Sequence, residues 1–295
     1  MRLLIAGWQG QVARALVELA PSAPDVEAFA VGRPGLDLCN ASSIRRAMTD
    51  VRPDVIINSA AYTAVDKAES EQEAAFALNR TGAGLLAEEA AKRGAAIIHI
   101  STDYVFDGQK STPYVETDGV APQNVYGRSK LQGEEAVRQV NPEHIIARTA
   151  WVYSPVGANF VKTMLRLAGE RDSLRVVDDQ TGNPTYAPHL AKALLDIARK
   201  VRHAPRDDQW GTYHLAGCGD VSWCGFAREV FRVSAELGGP SADVTAITTA
   251  EYPTPAARPK NSRLDCSKAE QNFGVALPDW REGARECVTR LLGKG

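Results

Sequence analysis

Within the first 150 residues, short runs of apolar, β-prone residues alternate with stretches of helical period. The runs are Leu3–Ala6, Val26–Val31, Val55–Asn58, Ala96–Ile100 and Ile145–Ala147. Helical patterns lie between them over Val12–Leu19, from a Ser42 cap to Asp50, over Glu69–Asn79 and Thr81–Arg93, and over Tyr126–Val140. Strands separated by helices of this length need right-handed crossovers, which make the sheet parallel and cover both its faces. The expected fold class is therefore α/β, a doubly wound parallel sheet. Beyond Trp151 the pattern loosens. Helices are expected over Phe160–Ala168, His189–Val201, Trp223–Leu237 and Trp280–Leu292, and strands over Leu174–Val177 and Tyr213–Leu215. The proline-rich segment Tyr252–Pro259 cannot be helix interior; it reads as an ordered loop or connector. The expected division is a dinucleotide-binding domain over 1–150, also receiving parts of 182–215, and a smaller lobe over 151–295 that is mainly substrate-binding.

The 295 residues carry 34 basic and 36 acidic side chains, so bulk charge does not suit the chain to nucleic acid. Its five cysteines, Cys39, Cys218, Cys224, Cys266 and Cys287, form no C-x-x-C pair and read as reduced thiols. The histidines show no metal-ligand spacing, and no metal is expected on that ground. The first apolar run is too short for a signal peptide, and no apolar run is long enough to span a bilayer. The expectation is a cytoplasmic protein with a small-molecule substrate, no nucleic-acid or membrane partner, and a monomeric or homodimeric state.

Gly7-Trp-Gln-Gly10-Gln11-Val12-Ala13 falls where the first strand meets the first helix. Glycines there allow a tight turn and let a phosphate approach the helix N-terminus. The spacing departs from the usual G-x-G-x-x-G, and a glycine pair can also be only a turn. The second strand leaves through Gly32-Arg33-Pro34, with no acid before Asp37. An arginine at that place accommodates the extra phosphate of NADPH, whereas an acid binds the ribose of NADH. NADPH is therefore expected, with NADH as the alternative if Arg33 is only a solvated loop charge.

Tyr126 and Lys130 stand at i and i+4 on one helical face. Thr102 follows the fourth strand, at the sheet edge where open α/β folds bind ligands. A phenol titrates near pH 10. A lysine cation about 4 Å away, at an effective dielectric of about 20, is worth roughly 4 kcal/mol, or about three pKa units. On that reading Lys130 acidifies Tyr126 towards working pH, Tyr126 protonates the alkoxide formed by hydride transfer, and Thr102 positions the carbonyl oxygen.

These blocks, in this order, resemble the extended short-chain dehydrogenases/reductases and, more narrowly, the dTDP-4-dehydrorhamnose reductase family. The resemblance runs over essentially the whole chain. It rests on the glycine turn, Arg52–Asn58, Ala60–Glu69, Ser101–Gly108, Tyr126-Gly-x-x-Lys130, Arg148–Tyr153 and Arg258–Leu264. It implies reduction of the C4 ketone of a dTDP-sugar by NAD(P)H. It also implies that Gly10, Gln11 and Val12 meet the pyrophosphate, and that Asp37 and Leu38 lie near the adenine. Ala61, Tyr62 and Thr63 would run along the dinucleotide, and Tyr126 and Lys130 beside the nicotinamide half. Thr102, Asp103 and Trp151 would face the sugar, with Asn183, Arg258 and Asn261 towards the nucleotide sugar. Trp151 as a core aromatic and Asp103 as a turn acid remain open alternatives. Some members hold Mg²⁺ between subunits through carboxylates; here the corresponding segment, Tyr186-Ala-Pro-His189-Leu190, has no acid, which puts that metal in doubt. Tyr104 stands where the related dehydratases need an acid after Thr-Asp, which favours net reduction. A nucleotide-sugar epimerase with retained NAD, and a non-catalytic subunit like the regulatory β-subunit of methionine adenosyltransferase, are the competing readings.

Overall fold

A computed structural model describes residues 1–204 and 206–293. The first half folds as β1 (Arg2–Ala6), α1 (Gln11–Leu19), β2 (Glu27–Val31), α2 (Ala41–Val51), β3 (Val55–Asn58), α3 (Val65–Ala68), α4 (Gln72–Phe76), α5 (Ala83–Ala91), β4 (Ala96–Thr102), α6 (Val125–Val140) and β5 (His144–Thr149). Among the described residues, six strands make one parallel sheet in the order β2-β1-β3-β4-β5-β10, where β10 is Gly211–His214. The order reverses between β1 and β3. Crossovers leave to opposite sides there, so a crevice opens at the carboxyl ends of those strands.

Alternate residues along each strand enter opposite cores. Leu3, Ile5, Val55 and Ile57 pack with α1 and with α8 (Ala187–His203), while Leu4, Ala6 and Ile56 pack with α2 and α5. Burial on both faces is why these strands read as unbroken apolar runs.

Two details of the first half differ from expectation. The cap of α2 is Asn40, whose side chain accepts from the backbone N–H groups of Ser42 and Ser43; Ser42 lies inside the helix. An amide acceptor sits better in the extended cap position than a hydroxyl already within the first turn. No break separates the helices on either side of Arg80: α4 runs into α5 through a π-helical turn, Ala77–Gly82. That turn swings Asn79 out of the helix. Its side chain then takes the N–H of Tyr62 (2.7 Å), donates to the Tyr62 carbonyl (3.0 Å) and donates to the Ser129 hydroxyl (2.8 Å). Gly133 makes room for this turn, because a Cβ there would lie 2.1 Å from the Asn79 carbonyl oxygen.

The remaining elements are β6 (Val152–Tyr153), α7 (Phe160–Ala168), β7 (Ser173–Val177), β8 (Thr181–Gly182), β9 (Thr185–Tyr186), β11 (Val221–Ser222), α9 (Trp223–Glu236), β12 (Asp243–Ile247), β13 (Asn261–Ser262), α10 (Ser267–Phe273) and α11 (Trp280–Leu291). A separate core joins α7, α9 and α11 over the β7–β12 pair. The proline-rich segment is a strap. Its Ala257 carbonyl accepts from Asn124, the cap of α6, and Arg258 forks onto Asp66 with contacts of 2.9 and 2.8 Å. No helix among the described residues is long and apolar enough to cross a membrane.

Candidate active site

The carboxyl ends of β1, β3, β4 and β5 meet the N-terminus of α1 around a cleft of about 590 Å³. That volume lies in the range of small-molecule sites. The cleft brings together Gly10, Gln11, Val12, Ala61, Thr63, Thr102, Asp103, Tyr126, Lys130 and Trp151.

At one end Gly7 turns with φ +100°, a left-handed conformation that glycine adopts without strain. Gly10 then caps α1 with no side-chain hydrogen bond, and a Cβ added at Gly10 would meet nothing within 4 Å among the described residues. The first turn of α1 therefore opens onto the cleft, and a helix N-terminus of this kind attracts phosphate. Gln11 is anchored beside it: its side-chain oxygen accepts from Ser154 (2.9 Å) and Asn159 (3.0 Å).

Other residues expected along the dinucleotide lie outside these walls. Arg33 is exposed at the exit of β2, beyond Gly32, which is covered by the indole of Trp8. Asp37 accepts from the N–H of Cys39, and Leu38 is buried against α2 and α5. The Tyr62 ring points out to Glu71, which accepts its hydroxyl at 2.5 Å, so only its backbone, held by Asn79, belongs to the cleft edge.

The reactive end is built by β4 and α6. Asn124 caps α6 and directs its first turn at the end of β4, which aligns Tyr126 and Lys130 beneath Thr102 and Asp103. Tyr126 packs edge-on against Tyr104, ring centroids 5.7 Å apart. The Thr102 hydroxyl donates to Asp103 Oδ1 at 2.9 Å. Asp103 Oδ2 is buried and, among the described residues, makes no well-formed hydrogen bond. Burial pushes the Asp103 carboxyl up to about 6, against the pull of the Ser262 and Thr102 hydroxyls.

Lys130 does not act on the phenol as expected. Its ammonium donates to the Ile100 carbonyl (2.7 Å) and lies 3.3 Å from His99 Nε2, a histidine whose Nδ1 is 3.0 Å from the Asn58 amide nitrogen. Burial brings Lys130 down to about 8, while the charge of Glu134 draws it upward. Tyr126 moves the other way: burial first, then the charge of Asp103, push the phenol well above its ordinary value, with the Thr102 hydroxyl working against them. The cost of removing a phenolate from water exceeds the help of a cation directed to other partners. Tyr126 thus holds its proton firmly over the whole neutral range. A group in that state still protonates an alkoxide, which is the stronger base.

Residues beneath the cleft carry a second feature that sequence reasoning missed. Glu134, fully buried, accepts from Arg148 at 2.9 and 2.7 Å, from the Ser101 hydroxyl at 2.6 Å and from Arg138 at 2.7 Å. Burial alone would raise its pKa, but Arg148, Ser101 and Arg138 hold it below the usual carboxylate range. Polar residues at otherwise apolar core positions, His99 within Ala96–Ile100 and Glu134 within α6, are the signal from which both features can be read.

Three expected sugar contacts are engaged elsewhere. Asn183 donates to the Gly219 carbonyl and accepts from the Leu264 N–H. Asn261 donates to the carbonyls of Lys110 and Thr112 and accepts from Arg263, and Arg258 is committed to Asp66. Each ties loops around the cleft rather than lining it. Trp151 does line it, with a backbone φ of +48°.

The sequence signature described as the RmlD substrate binding domain matches residues 1–292. A dTDP-4-dehydrorhamnose reductase of Sinorhizobium fredii is 52% identical over 295 residues, covering 100% of this chain and 99% of its own. Among solved structures, a dTDP-4-dehydrorhamnose reductase of Clostridium acetobutylicum superposes with a TM-score of 0.92 at 39% identity, over 99% of this chain and 100% of the other. The dTDP-4-dehydrorhamnose reductase of Bacillus anthracis, solved in complex with NADP, superposes with a TM-score of 0.89 at 36% identity, over 98% and 99%.

Proposed function

The chain belongs to the dTDP-4-dehydrorhamnose reductase family, and from that premise we propose that it reduces the C4 ketone of dTDP-4-dehydro-L-rhamnose to dTDP-L-rhamnose in the cytoplasm, with NADPH as reductant. The observation that carries this reading is the convergence of Tyr126, Thr102, Asp103 and Lys130 at one end of a cleft whose other end is the uncapped N-terminus of α1. NADPH, when bound, supplies the hydride. Gly10, Gln11 and Val12 would hold its pyrophosphate at the α1 N-terminus, with Gly7 making the turn. Ala61 and Thr63, with the backbone of Tyr62, would line its length, Asp37 and Leu38 would border the adenine pocket, and Arg33 would meet the 2′-phosphate.

At the reacting end, the Thr102 hydroxyl would turn from Asp103 Oδ1 to donate to the ketone oxygen and orient it. The Tyr126 O–H breaks as the new C4 O–H forms, so that the charge developing on oxygen never persists as free alkoxide. Lys130, held by Ile100 and His99 in this structure, would sit beside the nicotinamide half. Asp103 would face the sugar, and the edge of Trp151 would border it. We assign Asn183, Asn261 and Arg258 to the frame of the nucleotide-sugar side, through the loops that they tie.

Purified protein supplied with NADPH and dTDP-4-dehydro-L-rhamnose tests the proposal directly. Stoichiometric loss of NADPH absorbance with dTDP-L-rhamnose formed is the expected result. Retained NAD with no net consumption would make the chain an epimerase, and binding without turnover would make it a regulatory subunit. Arg33→Ala should weaken NADPH about tenfold, as for a partly solvated charge–phosphate contact, and leave NADH nearly unchanged. Equal loss for both cofactors, measured by fluorescence titration, would remove the phosphate assignment.

A further inference from the structure

The indole of Trp151 lies face to face on that of Trp223, ring centroids 3.5 Å apart and planes within 7°. The two come from different parts of the fold. Trp151 follows β5 of the main sheet, whereas Trp223 opens α9 in the smaller lobe, where it also packs on Phe160 of α7 at 4.6 Å. Gly182 of β8 lies over the other face of the Trp151 ring, where a Cβ would lie 2.6 Å from a ring carbon, so the indole is held between Trp223 and Gly182. The backbone at Trp151, at φ +48°, is in the left-handed region that a tryptophan rarely enters. Such a conformation persists only where the surroundings over-determine it. Here the surroundings are the Trp223 face and the space left by Gly182.

We propose that Trp223 is a positioning residue for the sugar end of the cleft, holding Trp151 by stacking across the two lobes so that the free edge of the Trp151 indole borders the sugar ring at a fixed place. The inference rests on the reading of the cleft as a nucleotide-sugar site and deepens it. Trp223 is not among the residues lining the cleft, whereas Trp151 is; it therefore acts through its neighbour. Because the stack joins the lobes, it also ties the position of that edge to their docking. A sugar bound against a loose ring would cost the ordering of a large side chain on each binding event. Pre-stacking removes that cost from the substrate and leaves the dinucleotide end untouched.

The consequence is a separation of binding terms. Trp223→Leu, which removes the stacking face but stays apolar, should raise KM for the nucleotide sugar about tenfold, keep the Kd for NADPH within about twofold and change kcat little. Trp223→Phe, which restores a flat face, should recover KM to within about threefold. A merely structural role would lower Tm without this split.

The stack also has its own signature. Two parallel indoles at this distance give an exciton couplet in circular dichroism. That couplet should be present in the free protein, absent in Trp223→Leu, and perturbed by the product dTDP-L-rhamnose but not by NADPH alone. This arm uses no turnover, so it distinguishes failure of the inference from failure of the assigned reaction. It also serves if Trp223→Leu does not fold. An unchanged KM in Trp223→Leu, equal weakening of sugar and NADPH, or a wild-type couplet indifferent to dTDP-L-rhamnose would each overturn the proposal.

Discussion

Replacing Tyr126 by phenylalanine should lower kcat by about 10³-fold, within the 10²–10⁴ range of a positioned general acid, while the Kd for NADPH stays nearly unchanged. That is a loss of about 4 kcal/mol of transition-state stabilisation. The size follows from the site. Burial and Asp103 keep the phenol protonated, so the whole population of enzyme is armed to donate. Two of its neighbours are engaged elsewhere: Lys130 is directed to Ile100 and His99, and Thr102 donates to Asp103. Phenylalanine keeps the edge-on packing against Tyr104 and deletes only the hydroxyl. Melting temperature should therefore move little, and the lost rate reports on chemistry. A Tyr126→Phe protein with ordinary turnover, measured by NADPH consumption at saturating substrate, would remove the assigned acid.

The largest expected effect on stability lies one layer below. Glu134→Gln should cost about 3–5 kcal/mol, because it leaves the Arg148 guanidinium buried without a counter-charge. Arg148 is 3% exposed and Glu134 is 0% exposed, so water cannot take over the lost interaction. For a domain of this size the loss should appear as a fall in Tm of about 10 °C. Exchanging both partners for apolar residues, Glu134→Leu with Arg148→Met, should recover much of it, since no charge is then stranded.

The same pair sets an acid limit. The folded pKa of Glu134 lies below its ordinary value. Its contribution is therefore complete above the unfolded pKa, about 4.3, and is lost as pH falls through the lower folded pKa. Thermal melts of Glu134→Gln against pH should show a flatter acid limb than the parent protein. A variant melting within about 2 °C of the parent at neutral pH would show that the pair does not stabilise the fold.

Much of this was readable from sequence because the signals were periodic and local. Apolar runs buried on both faces have no polar alternation to mislead, and so β1, β3 and β4 are found close to their bounds. Helices with one apolar stripe, such as α7 and α11, are found as well. What escaped was set by contacts distant in sequence. The two-residue strands β8, β11 and β13 exist only because their partners come together late in the chain. Strand β12 is mostly exposed and has too weak an apolar pattern to be seen.

At the site, motif spacing located Tyr126, Lys130 and Thr102 but not the sign of their electrostatics. A spacing of i and i+4 states that two side chains share a face. It does not state that Ile100 and His99 will claim the amine, or that burial will outweigh a nearby cation. Asn183, Arg258 and Asn261 were singled out by the family resemblance, yet their side chains tie loops, a distinction that only three-dimensional hydrogen bonding reveals.

Asn79 fastens the segment bordering the cofactor crevice to the helix that carries the proton donor, through Tyr62 on one side and Ser129 on the other. This amide adds to the Glu69 bond to the Val125 N–H in joining the two segments. A displacement of the Tyr62 segment must therefore break these bonds or carry α6 with it, which couples the proposed dinucleotide wall to the proposed acid.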